Sequence, residues 1–377
     1  MIKSGKFSLS HFVRKDPVLA IALLLAVGSS LIIPPSIGEF LGYIDFHVLA
    51  LLYSLMLVVA GFQKSGAFTL LTDYLLSRVK TTRAVAGVLV GVCFFTSMLI
   101  TNDVALITFV PLAVLLFGRK EHEKILMLVV VLQTIAANLG SSLTPLGNPQ
   151  NLYLYSLSGM SLGEFLSVMF PPVLLSAILL AIAVWVIRPE RLEKPVSDSQ
   201  QGSSVTVRQL LPWILLFGLC ILTVLHVVHY IYMWAIVTVA VLFLDRSLLR
   251  KADYGLLLTF VGFFVFVGNI KNIPAISEML FTIVNDSELV VGVLLSQIIS
   301  NVPAAMLLSG FTESYAPLLL GVNLGGLGTL IASMASVISY KIYAGAPGAK
   351  GGRYLVLFTV LNVVFLAMLM LDVCLIA

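Results

Sequence analysis

Two short polar runs interrupt otherwise apolar sequence. Residues 95–111 break at Thr101-Asn102-Asp103, and residues 289–311 break at Ser300-Asn301-Val302. Hydroxyl and amide oxygens are hard donors suited to a small cation such as Na+. Free N–H groups at a helix start suit an anion. Asp103 is the one residue among 18 acids that falls deep inside a long apolar segment. A carboxylate in hydrocarbon costs about 2.5–3.5 kcal/mol on insertion scales, so it is a functional hypothesis by default. Asp103 is therefore expected to be a coupling residue that carries a proton or binds Na+. The competing reading is a cap on the helix that it opens. The tip amides Asn102 and Asn301 have the same two readings, ligand or cap.

The surrounding chain has to place these groups within a bilayer. Of 377 residues, 59% are hydrophobic and 11% charged, against about 25% charged in a soluble domain. Mean hydropathy is +1.07. These values exclude an ordinary water-soluble fold and define an all-α polytopic membrane protein. There is no HExxH, no GxSxG and no pair of intramembrane acids, so an enzyme is not expected. Nucleic acid is not an expected partner; the lipid bilayer is. Cys93, Cys220 and Cys374 are far apart and without metal-type spacing, and read as small core hydrophobes. The basic residues 1–17 lead into a long span without a clear cleavage site, which predicts a retained first helix.

The apolar pattern predicts spans near 18–33 and 46–62, an amphipathic piece at 67–80 and the interrupted run 84–118. A segment from 125 breaks up over 136–151, and a span follows at 165–187. The only long polar stretch, 188–209, reads as a cytoplasmic linker between a first repeat, 1–187, and a connecting span, 210–228. The second repeat, 229–377, has spans, an amphipathic piece at 274–286 and the interrupted run 289–311. It continues with a broken segment at 316–340 and a last span. Arms of about 11 residues reach roughly 17 Å, enough for the midplane and too short to cross, so the second interrupted run is a re-entrant hairpin. The first, at 84–118, is long enough for either form. With the N-terminus cytoplasmic and each interrupted run returning to its own side, every Lys and Arg except Lys271 falls on the cytoplasmic side. That bias fixes the expected orientation, with the C-terminus outside.

The halves repeat the same parts in the same order. Asn138-Leu139-Gly140 aligns with Asn323-Leu324-Gly325, each following a hairpin with Asn at its tip. The single connecting span inverts the second half. Inverted repeats with broken helices are the pattern of secondary transporters, whose sites lie near the midplane between the repeats. About nine spans, two re-entrant helical hairpins and two broken helices are expected.

With these motifs in order, the chain resembles the ion transporter superfamily. That superfamily includes divalent anion/sodium symporters, citrate permeases, arsenite permeases and one group of sodium/proton antiporters. The resemblance implies a homodimer in which a transport domain moves against a scaffold as an elevator. The Asn-Asp form of the first tip and the Asn-x-Pro form of the other are closer to the arsenite-permease and antiporter branches.

The expected function is secondary active transport of a small anion, a di- or tricarboxylate or an inorganic oxyanion, coupled to Na+ or H+. The alternatives are a sodium/proton antiporter and an arsenite efflux permease. Substrate is expected at Thr101, Asn102, Asn148, Ser300 and Asn301. No cofactor is expected beyond Na+, which Thr101, Asn102, Asn148 and the Gly147 carbonyl would hold in one site, and Ser300 and Asn301 with the Gly328 region in a second. The expected location is a bacterial inner membrane. Gln133, Thr134, Ser333, Ser336 and Ser339 read as cavity lining or packing, and His226 and His229 as part of an interfacial aromatic belt.

Overall fold

Apolar sequence without strand alternation satisfies its backbone in hydrocarbon as helix. The computed structural model describes residues 17–191 and 207–376. The basic N-terminal stretch and most of the polar linker lie outside the described residues. Those residues form eighteen α-helices, and no strand beyond one isolated bridge between Thr81 and Arg191. In chain order the first are α1 (Pro17–Ile32), α2 (Ile37–Tyr43), α3 (Phe46–Lys64), α4 (Ala67–Leu76), α5 (Thr82–Ile100) and α6 (Asn102–Phe117). Then come α7 (Glu123–Ser141), α8 (Pro149–Ser158), α9 (Leu162–Trp185), α10 (Val207–Val224), α11 (Tyr230–Asp245) and α12 (Tyr254–Lys271). The last six are α13 (Pro274–Val284), α14 (Glu288–Ile299), α15 (Asn301–Leu308), α16 (Tyr315–Leu324), α17 (Met334–Ala344) and α18 (Gly351–Ile376).

The starts follow capping chemistry. Asp45, Thr81, Asn148 and Asp253 each accept a backbone N–H from the first turn of α3, α5, α8 and α12. Ser36–Glu39 and Ser161–Glu164 form reciprocal capping boxes at α2 and α9, the arrangement that satisfies two free donors at once.

Seven helical segments among the described residues are long and apolar enough to cross a membrane, or eight if the α13–α14 pair, bent by 107°, counts as one span. The sequence pattern suggests about nine. Helix length separates a full span from a shorter piece. The hairpins differ in the same respect. The arms of the first, α5 and α6, have 19 and 16 residues, and those of the second, α14 and α15, have 12 and 8. Of these four arms, α5 alone is long enough to cross.

Two apolar cores form. One gathers α5, α6, α7, α9, α17 and α18. The other gathers α1, α3, α8, α10, α11, α12, α15 and α16. The breaks α7–α8 and α16–α17 therefore lie at the seam, with one arm of each broken helix in each core. Both arms of each hairpin pack along the broken helix of their own half, α5 and α6 on α7 and α14 and α15 on α16, and the second arms also reach across, α6 to α17 and α15 to α8. Cys93 and Cys220 are buried as expected, but Cys374 is exposed, because it lies on the outward side of the last turn of α18.

Close approach of α5 to α7 depends on Gly140, where an added Cβ would lie 2.1 Å from the Phe94 carbonyl oxygen and 2.7 Å from Ser97 Oγ. Gly91, in the middle of α5, has nothing within 4 Å of such a Cβ. Gly140→Ala should destabilise the detergent-solubilised protein by about 1–3 kcal/mol through overpacking. Gly91→Ala should stabilise it by about 0.5–1 kcal/mol through helix propensity. Thermal unfolding followed by size-exclusion recovery reads both. Equal melting temperatures for the two variants would show that the α5–α7 contact is not tight.

Candidate transport site

Each hairpin turns on a single residue. Thr101 joins α5 to α6 at φ 69°, ψ 148°, and Ser300 joins α14 to α15 at φ 76°, ψ 154°. Positive φ in a residue with a Cβ is strained by about 1–3 kcal/mol and persists only where the surroundings enforce it. Here it recurs at corresponding places in both halves.

The broken helices hold these turns by matching contacts. Six residues after each motif Asn, Thr144 Oγ1 donates to the Met98 carbonyl and Thr329 Oγ1 donates to the Gln297 carbonyl at 3.1 Å. Met98 and Gln297 each precede their turn residue by three. Nine residues after each motif Asn is a carbonyl that receives the tip, Gly147 from Asn102 N at 3.3 Å and Ala332 from Ser300 Oγ at 3.4 Å. Gly140 and Gly325, two residues after each motif Asn, face Ser97 and Ser296 of their hairpins.

The motif amides then cross between halves. Asn138 Oδ1 accepts from Asn102 Nδ2 and from Ser333 Oγ, both at 3.0 Å. Its Nδ2 donates to the Gly326 carbonyl and to Ser336 Oγ, both at 3.4 Å. Asn323 Oδ1 accepts from Asn148 Nδ2 at 3.1 Å, and Asn323 Nδ2 donates to Asn151 Oδ1 at 2.6 Å. Each motif Asn thus binds the entry of the other half's second helical arm. All six of Asn138, Asn148, Asn151, Asn323, Ser333 and Ser336 are buried.

The expected site residues divide accordingly. Thr101, Asp103 and Asn148 line a cavity of about 650 Å³, together with Leu146 and Pro149 of the first break. Asn102, the first residue of α6, is buried beside them, and its Oδ1 accepts from Asp103 N at 2.9 Å. Ser300 and Asn301 are buried and do not line this cavity. The counterpart of Gly147–Asn148 is Ala332–Ser333. Gly328, at φ 108°, packs against Gln297, whose amide donates to the Gly325 and Leu327 carbonyls at 2.9 Å. Gln297 satisfies the open backbone of the second break, which its place in the sequence did not announce.

Among the described residues no side-chain hydrogen bond or ion pair reaches the Asp103 carboxylate, which is half-buried and open to the cavity. Apolar side chains of α3, from Leu52 to Ala60, form one wall, and Gln63, Lys64, Ser247, Lys251 and Asp253 complete the lining. Gln133 donates to the Phe109 carbonyl at 3.1 Å and Thr134 to Ser339 Oγ at 2.7 Å, both inside the core. They pack rather than line this cavity. His226 faces His47 at 5.8 Å and Tyr155 at 6.3 Å between ring centroids, and His229 accepts from Ile231 N as the cap of α11. No cluster of His, Cys, Asp or Glu suited to a transition metal occurs among the described residues; Na+ would be held by neutral oxygens.

Apolar spans, broken helices joined at a seam and a carboxylate open to a cavity suit a membrane transporter. The profile of the citrate transporter family (CitMHS) matches residues 12–338. An uncharacterized transporter of Methanocaldococcus jannaschii is 33% identical over 304 residues, 79% of this chain and 81% of that protein. An inner membrane protein of Escherichia coli is 30% identical over 332 residues, 87% of this chain and 88% of that one. A 46 kDa membrane protein of Mycobacterium leprae is 24% identical over 351 residues, 81% and 80% of the two chains. The chain belongs to the citrate transporter family and spans the membrane.

Asn138→Ala removes the partner of Asn102 and Ser333, and Asn323→Ala removes that of Asn148 and Asn151. Each should cost at least about 2 kcal/mol from unsatisfied buried groups and lower the melting temperature by about 2.5 °C or more. The double variant should cost less than the two losses added, because both lie in one network. Melting temperatures within about 1 °C of wild type, less than half the shift expected for such a loss and read against Thr282→Ala at an exposed hydroxyl as control, would remove the crossed amides from their structural role.

Proposed function

We propose that the protein is a secondary active transporter of a small anion, a di- or tricarboxylate or an inorganic oxyanion, coupled to Na+ or H+. The observation that carries this is the unpartnered Asp103 carboxylate facing the cavity beside Thr101 and Asn148. An anion about 4 Å from a charged Asp103 would be repelled by about 4 kcal/mol at an effective dielectric of about 20. Entry then requires a cation or a proton at Asp103 first, which is coupling. Thr101, Asn102, Asn148 and the Gly147 carbonyl form the first Na+ and substrate site. Ser300 and Asn301, with the Gly328 region and the Ala332 carbonyl, form the pseudo-symmetric second.

The matched turns and crossed amides support an inverted repeat that moves as one elevator body, in a homodimer within a bacterial inner membrane. The positive-inside pattern favours an N-terminus in the cytoplasm and a C-terminus outside. Lys64 and Lys251 are then cytoplasmic, and the cavity is an inward-facing one. One observation favours a second reading: among the described residues no Lys or Arg pairs with Asp103, which equally suits sodium/proton antiport or efflux of neutral arsenous acid.

Proteoliposome flux of the purified protein and of Asp103→Asn separates the two. Sodium or proton gradients are imposed with and without succinate, citrate, sulfate or arsenite. Gradient-driven uptake of one anion, with its coupling altered in Asp103→Asn, is the expected result. Sodium-driven proton movement with no anion present, lost in the variant, would establish the antiporter instead. Wild-type coupling in Asp103→Asn would leave Asp103 a helix cap.

A further inference from the structure

Four charged side chains line the cavity: Asp103, Asp253, Lys64 and Lys251. Its α3 wall presents Leu52, Leu55, Met56, Val59, Ala60, Gln63 and Lys64, one helical stripe about 18 Å long at 1.5 Å per residue. Asp103 marks one region of the lining, and Lys64 and Lys251 supply its two cations. We propose that Lys64 and Lys251 form an anion-receiving site at the mouth of the cavity, separate from the hairpin-tip site, that takes a carboxylate or similar oxyanion. The assignment rests on the reading that an anion passes through this cavity.

The fixed charges around the mouth support it. The Lys64 side chain is 58% exposed and pairs with Asp245, while Lys64 Nζ also donates to Ser247 Oγ at 3.1 Å. Asp245 is itself held by Ser247, from N at 3.1 Å and from Oγ at 2.7 Å. Asp253 is engaged as the cap of α12, accepting from Leu256 N at 3.0 Å. Lys251 is exposed and in neither ion pair found among the described residues. Arg246 and Arg250, exposed in the same segment though not lining the cavity, bring the cations to four, against Asp245, Asp253 and, within the cavity, Asp103. An incoming carboxylate can bind Lys251 and share Lys64 with Asp245 without leaving a charge unpaired. Apolar walls below the mouth concentrate this field. The lysines gather the anion, and Asp103 further along admits it only when neutralised.

The mouth potential can be read without transport. A reporter cysteine is placed at Ala60, one turn from Lys64 on the cavity wall, in a Cys374→Ser background; Cys93 and Cys220 are buried. Rates of modification by a sulfonate-bearing and a trimethylammonium-bearing thiosulfonate are measured in detergent. The sulfonate-to-ammonium rate ratio should fall about five- to tenfold in Lys64→Gln/Lys251→Gln, at about 0.2–1 kcal/mol per exposed charge, and fall comparably in about 0.5 M salt. Lys64→Arg/Lys251→Arg should retain the ratio, separating lost charge from misfolding. An unchanged ratio in the Gln double variant overturns the site.

In proteoliposomes, the KM of whichever of citrate, succinate or sulfate is carried should rise about three- to tenfold in the same variant, on the same energy per charge. A wild type that carries none of these anions but exchanges sodium for protons, with the thiosulfonate ratio still dependent on the lysines, overturns anion transport and leaves the receiving site standing. Unchanged KM together with an unchanged ratio overturns the site alone.

Discussion

Interrupted backbone within a membrane is the constraint from which the rest follows. Unpaired N–H and C=O groups in hydrocarbon cost several kcal/mol each, so a helix can break there only if protein fills the gap. This chain breaks two helices and fills each gap partly from its own half, through Asn151 and Gln297, and partly from the other. Asn138 reaches Ser333, Ser336 and the Gly326 carbonyl, and Asn323 reaches Asn148 and Asn151. Neither break is complete by itself. The hairpin tips depend on the same arrangement, because Thr101 and Ser300 keep strained φ values only while the breaks receive them.

That crossing has a mechanical consequence. Displacing one broken helix against the other would strip partners from buried amides in both. The α7–α8 and α16–α17 pairs, with the hairpin arms on them, are thereby tied into one unit although their arms lie in different apolar cores. The glycines serve the same end. Gly140 and Gly325 let the hairpins approach to where any Cβ would overlap them.

Against this rigid polar centre, the cavity is loosely dressed. Much of its wall is aliphatic, and charge is confined to Asp103 and to the Lys64–Lys251 mouth with its acids. Buried amides in the network are paired, whereas the carboxylate beside them has no partner among the described residues. The crossed amides Asn138 and Asn323 are satisfied on both their oxygen and their nitrogen, and the carboxylate that faces the cavity is not.

The class of protein, the two hairpin tips, the order of parts and the broken helices were legible in the sequence. Composition decides solubility, and a polar tripeptide within an apolar run has few places to go. Asp103, Thr101 and Asn148 were found together on the cavity because each interrupts an apolar stretch. Span number was less legible, since an apolar run does not show where a helix bends, as the α13–α14 pair does by 107°. The crossing of Asn138 and Asn323, the service of Gln297 at the second break, and the equivalence of Ala332–Ser333 to Gly147–Asn148 were not legible as contacts. Nor was the meeting of Lys64 and Lys251 at one mouth. The crossed amides join residues some 170 to 200 positions apart, and a sequence states which groups need partners but not which distant groups supply them. Local chemistry set the elements by itself; the pairing of unsatisfied groups across the seam was settled only when the two halves packed.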